Sequence, residues 1–217
     1  MRIALTSMVV LAACSTGTLE TPDPVDRPTE EGEYTPVGPV DVTEDSQMGR
    51  DFRRMDIDQL SASIERVTGH RWVREDGRGE TIDRFEELAP TLGVPDYIEV
   101  VADALEPSLL FQKFLNDAAL DVCPALVADD LGRADGQRWL MPQTGVNTTW
   151  TSDASAIETT VQDAVLRFHG KALAPESEAF AEWVFLIRSL EQISDSPTAR
   201  WEAVCTALIT HPDFYLY

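Results

Sequence analysis

The side chains best suited to acid–base or metal chemistry are three histidines, His70, His169 and His211, and two closely spaced carboxylate pairs, Asp117 with Asp121 and Asp129 with Asp130. An imidazole titrating near neutral pH can move a proton or ligate zinc, and paired carboxylates can share a proton or a cation. Their settings argue for plainer roles. His70 follows Gly69, His169 precedes Gly170 and His211 precedes Pro212. All three thus fall at predicted helix C-termini, where a cation meets the negative end of the dipole and a side chain can bond free carbonyls. No H-E-x-x-H, no histidine pair at local metal spacing and no acidic calcium loop is present in the sequence. C-x-x-C-H is absent, which excludes covalent c-type haem, and G-x-S-x-G, Walker A and G-x-G-x-x-G are missing too. The aspartate pairs read as the solvated face of a helix. No catalytic, cofactor-binding or metal-binding residue follows from these patterns.

The elements that must position such groups begin after an unusual start. Arg2 precedes a short apolar run from Ile3, which closes on small residues before Cys14. That layout is a secretory signal peptide over residues 1–13. The run from Ile3 to Ala13 is too short to span a bilayer core, which takes about 20 residues. Leu11-Ala12-Ala13-Cys14 resembles the lipobox of bacterial lipoproteins. The resemblance implies cleavage before Cys14, a diacylglycerol on its sulfur and acylation of the new amino terminus. Several acyl chains on one residue hold a protein in a membrane where one would hold it marginally. Ser15 follows the cysteine, which in the sorting pattern of proteobacterial lipoproteins favours the outer membrane, on its periplasmic face or its outer one. The other reading of Cys14 is an ordinary thiol after an uncleaved apolar start.

With Cys14 assigned to lipid, Cys123 and Cys205 remain, an even pair in an oxidising compartment. Each lies on or beside an apolar helical stripe, so a disulfide pinning the last helix to the central one is the natural expectation. Closing a loop of about 83 residues would contribute on the order of 4 kcal/mol in the chain-entropy account. A redox pair or thiolate metal site is the alternative, though the former favours C-x-x-C and the latter needs more ligands.

The formal charge is −21, and loss of Arg2 with the signal peptide takes it to −22. Such a surface argues against nucleic acid and anionic lipid headgroups as partners, and for solubility or attraction of basic proteins and divalent cations. Residues 14–47, the lipidated cysteine and a Pro/Thr-rich tether, are rich in acids and poor in large apolar residues. Arg27 is the one base among them. This segment buries too little to offset the entropy of ordering it, and predicts a disordered stalk spanning about 30 Å or more.

Residues 48–217 predict a helical head. Ile57, Leu60, Ile64 and Val67 share one face, with Asp56 and Gln59 as a capping box and Gly69 as a stop. Arg50, Arg53 and Arg54 precede that helix as a solvated lead-in. Residues 71–80, with Gly77 and Gly79, read as a loop, and short helices are expected over Ile82–Leu88 and Tyr97–Leu105. A longer helix should start with Pro107 in its first turn and carry Leu110, Phe111, Phe114, Leu115, Ala118 and Val122 inward. Pro124 should interrupt it.

Residues 133–153 fit neither helical nor strand period, and Trp139, Met141 and Trp150 there are candidate partner contacts. Three helices follow: Ala156 to Phe168, one opened by Pro175, and one capped by Ser196 and Pro197 that carries Trp201, Val204, Cys205, Leu208 and Ile209. The closing Phe214-Tyr215-Leu216-Tyr217 is too apolar to be a free tail. The expected fold class is all-α, a disulfide-pinned multi-helix bundle after a disordered tether.

Past Val161, the stretches VLRFHGKALAPESEAFAEWVFLIRSL and WEAVCTALITHPDFYLY resemble helical modules of large exported planctomycete and myxobacterial proteins, many of which carry cytochrome-c domains. The likeness rests on caps and packing residues over about 57 residues, so it implies a fold and transfers no catalytic residue. Together these features suggest a non-catalytic, lipid-anchored binding or assembly subunit with an envelope protein as partner. The alternatives are a metal-assisted hydrolase built from scattered His and Asp residues, or an accessory of exported electron transfer.

Overall fold

A computed structural model describes residues 53–92 and 107–217. The signal peptide, Cys14, the tether, Arg50 and the helix expected over Tyr97–Leu105 lie outside the described residues.

Helix α1, Ile57–Thr68, starts on the expected capping box. The Asp56 carboxylate accepts the Gln59 N–H at 2.7 Å, and the Gln59 side chain accepts the Asp56 N–H at 3.2 Å. Gly69 closes the helix at φ 79°, and a Cβ there would stand 3.0 Å from the Trp139 ring, so both backbone and space call for glycine.

Where a loop was expected over 71–80, two short strands form instead. β1, Val73–Glu75, pairs antiparallel with β2, Thr81–Asp83, with Arg74 opposite Ile82. The glycines do make the turn: the Asp76 carboxylate accepts the N–H groups of Arg78 and Glu80. Three-residue strands with largely exposed side chains leave no period-two pattern to read. Ile82 consequently belongs to β2, and α2 runs only from Arg84 to Leu88, capped by Asp83. A 3₁₀ turn, Ala89–Leu92, carries the chain through Pro90.

The central helix α3 is Leu109–Gly132. Its N-cap is Ser108, whose hydroxyl accepts the Phe111 N–H, which puts Pro107 before the helix rather than in its first turn. Leu110 is 56% exposed and leaves the inward stripe. Pro124 does not interrupt the helix. It stands on the exposed side, as does Leu120, whose carbonyl it leaves without an i+4 donor, so water can bond that carbonyl. On the opposite side Val122, Cys123, Leu126 and Val127 are buried.

Helix α4, Ala154–His169, is closed by Gly170 at φ 66°. Helix α5, Glu178–Ile193, is capped by Ser177, so Pro175 and Glu176 precede it. Helix α6, Pro197–Thr210, begins on Ser196 as expected and lies against α3, α4 and α5. A single turn, α7, Pro212–Tyr215, follows. The Cys123–Cys205 disulfide joins α3 to α6 inside the core, as the cysteine count suggested. The architecture is all-α apart from the two-stranded hairpin. Among the described residues no helix is long and apolar enough to cross a membrane.

The tail docks. Phe214 and Tyr215 are buried, and the chain before α1 pairs with the last residues. The Met55 N–H donates to the Tyr215 carbonyl at 2.8 Å, and the Tyr217 N–H to the Arg53 carbonyl at 3.0 Å. Arg54 is therefore not a solvated lead-in residue. It is 2% exposed, donates to the Leu92 carbonyl at 2.8 Å and lies over the Phe111 ring.

Candidate functional site

Residues 133–153 are organised by one carboxylate. Asp130, expected on a solvated face, is fully buried near the end of α3. It accepts the N–H groups of Trp139, Leu140 and Met141, at 2.7 Å from Leu140, and pairs with Arg133 at 2.7 Å. Those N–H groups belong to a segment with no helix or strand of its own, so a charged acceptor replaces the missing ladder. The Arg138 guanidinium adds bonds to the carbonyls of Asp130 and Thr144. Asp121 likewise has a structural partner, the Trp72 indole N–H at 2.5 Å. Asp117 pairs with Lys113, and Asp129 with Arg133 and His70.

This arrangement takes away most of the contact surface expected of the loop. Met141 is fully buried beside Leu140 and offers no side chain to a partner. Trp139 is half-buried beneath the guanidiniums of Arg167 and Arg133, 4.0 and 4.6 Å from its ring centre. Trp150 is half-buried too, with Arg188 over its ring and its backbone N–H donating to the Glu191 carboxylate at 2.7 Å. Cation–π contacts hold both rings against the fold, with part of each ring still exposed.

Exposed apolar side chains stand on α3, where Leu109 is 91% exposed, and on α5. Phe185 is 72% exposed and Ile193 78%. Eight residues apart, they share the outward side of the helix with Glu178 and Glu182, while Phe180, Trp183, Val184 and Ile187 face the core.

The histidines do not stay apart. His169 ends α4, and His211 precedes α7, whose first free N–H group, on Asp213, it accepts through Nδ1 at 3.1 Å. Packing of α4 against α6 and α7 brings the two imidazoles into a stack, 5.0 Å between centres and 23° between planes. Trp183 of α5 adjoins both rings, at 5.7 and 5.5 Å. One ring nitrogen from each histidine and one Asp213 oxygen lie within 4.8 Å of one another. The other Asp213 contact is Lys171, 2.5 Å from Oδ1.

His169 Nε2 lies 2.8 Å from the Leu208 carbonyl, which can only accept, so Nε2 carries the proton. Nδ1 then keeps its lone pair, and among the described residues this buried atom has no hydrogen-bond partner. Burial pushes the His169 pKa below its ordinary 6.5, against the opposing bond to Leu208, so the neutral ring is the favoured form. The hydrogen bond from Lys171 holds the Asp213 carboxyl below the usual range, so it is ionised. The expectation that a histidine at a helix end meets a carbonyl holds for His169, although the carbonyl belongs to α6. What local spacing concealed is the triad, because its members come from segments 42 residues apart in sequence, joined only by helix packing. The chain matches no family model, no curated protein and no solved structure.

Proposed function

We propose that this chain is a lipid-anchored cell-envelope protein of the outer membrane whose helical head is a non-catalytic binding or assembly subunit for another envelope protein. The observation that carries the binding role is the outward side of α5, where Phe185 and Ile193 stand in water beside Glu178 and Glu182. Two large apolar side chains so exposed on one helix stripe are the anchors that a partner pocket covers. The neighbouring acids and the net charge of −21 favour a pocket rimmed by basic residues. The buried Cys123–Cys205 disulfide supports export, since such bonds persist in oxidising compartments. The lipobox-like Leu11-Ala12-Ala13-Cys14 supports the anchor.

The test is recovery of the tagged full-length protein from its own envelope in mild detergent, beside two variants. Phe185→Asp with Ile193→Asp, on a side chain pair that leaves the core untouched, should lose a stoichiometric partner that the parent retains. Cys14→Ser should move the protein to the soluble fraction. A partner retained equally by the double variant would refute the assignment to α5, and a Cys14→Ser protein that stays with the membrane would refute the anchor.

A further inference from the structure

Independently of the partner reading, we infer that His169, His211 and Asp213 form a binding site for a first-row divalent metal ion of the zinc class. The starting point is the fixed orientation of His169. Its Nε2–H is held by the Leu208 carbonyl, which leaves Nδ1 with a buried lone pair and no hydrogen-bond partner among the described residues, in a ring that has a nitrogen within 4.8 Å of a His211 nitrogen and an Asp213 oxygen. Metal-ligating histidines are positioned in this manner, with the remote N–H on a carbonyl that sets both tautomer and ring angle. His211 contributes a second imidazole and Asp213 a carboxylate from the turn that the docked tail creates.

Two nitrogens and one oxygen suit zinc and its neighbours. Calcium takes six or more oxygens and magnesium an octahedral oxygen set, so neither fits. Trp183 covers both rings on one side, which lowers the local dielectric around any charge placed there. A fourth position, filled by water or a group from a partner, would complete a tetrahedron.

The geometry also bounds the strength. Ligand atoms around tetrahedral zinc stand about 3.3 Å apart for bonds near 2.0 Å, closer than the 4.8 Å limit within which these three lie. Binding must turn the imidazoles out of their stack, since near-parallel rings do not converge their lone pairs on one ion. It must also share Asp213 with Lys171, and it competes with the Asp213 N–H if His211 binds through Nδ1. The site is therefore weaker than a structural zinc centre, and Lys171 acts as a built-in competitor.

The experiment uses the full chain stripped with a chelator. Zinc is titrated by calorimetry, and cobalt(II) by the visible absorption of a low-symmetry, tetrahedral ion. One ion per chain should bind, with millimolar calcium or magnesium failing to displace it. His169→Ala and Asp213→Asn should each weaken binding by at least about tenfold. Lys171→Met should strengthen it, a gain that no loss of packing would produce. Asp213 is partly exposed, so Asp213→Asn decides the matter if His169→Ala unfolds the head. A titration without saturation at one ion per chain, or a midpoint that moves in none of the three variants, overturns the site.

Discussion

Replacing Asp130 with alanine tests the idea that a single carboxylate builds the segment 133–153. The carboxylate is fully buried and receives three backbone N–H groups and a guanidinium. Of those donors, the N–H groups of Leu140 and Met141 are buried and would lose their acceptor. Each orphaned donor costs about 1–3 kcal/mol. If the segment instead detaches, Leu140 and Met141 leave the core, at about 2–3 kcal/mol per side chain. Both routes converge on about 4 kcal/mol, about a quarter or more of the stability of an ordinary domain. The neighbour provides the control. Asp129 is half-exposed and pairs at the surface, so Asp129→Ala should cost under about 1 kcal/mol. Urea unfolding followed by tryptophan fluorescence gives both numbers, and limited proteolysis distinguishes global loss from release of the segment. An Asp130→Ala protein within about 1 kcal/mol of Asp129→Ala would refute the reasoning.

Replacing Cys123 and Cys205 together with serine should lower stability by about 4 kcal/mol, read as a shift in the urea midpoint. Because both sulfurs are inaccessible in the native head, reduction of the parent should be slow in buffer and accelerate in urea. The depressed pKa of His169 sets a pH dependence of definite sign. The unfolded chain takes up a proton near the ordinary value of 6.5 while the folded one resists until lower pH. The contribution of this group is therefore fully present above that value and lost as the pH falls through the folded pKa. In chelator, His169→Gln should flatten the fall in stability between about pH 7 and 5, measured by unfolding at each pH.

Much of this head was legible because local rules and packing agree. The Asp56–Gln59 capping box, the Gly69 and Gly170 stops and the apolar stripe of α6 are each written within one or two helical turns. The disulfide was legible because Cys123 and Cys205 each fall on an apolar helical stripe. Pro124 misled, since a proline reads as a break unless one knows that its side of the helix faces water. Asp130 carried no decisive signal: it follows Leu126 by four residues and Asp129 follows Leu126 by three, so both continue the apolar side of α3 and only the fold separates them. The histidine–aspartate cluster carried none, because His169 meets His211 and Asp213, 42 residues on, only through tertiary packing. Arg54 was obscured by its charged neighbours, although its burial follows once the tail pairs with the chain before α1.

The binding role proposed for this head rests on the outward side of α5. A photo-reactive amino acid placed at Phe185 in the full-length protein, in its own cells, is the test, with the same probe at exposed Leu131 on α3 as comparison. A single discrete adduct from position 185, absent from position 131 and abolished by Ile193→Asp, is the predicted result. Equal labelling from both positions, or no adduct from 185, would contradict it.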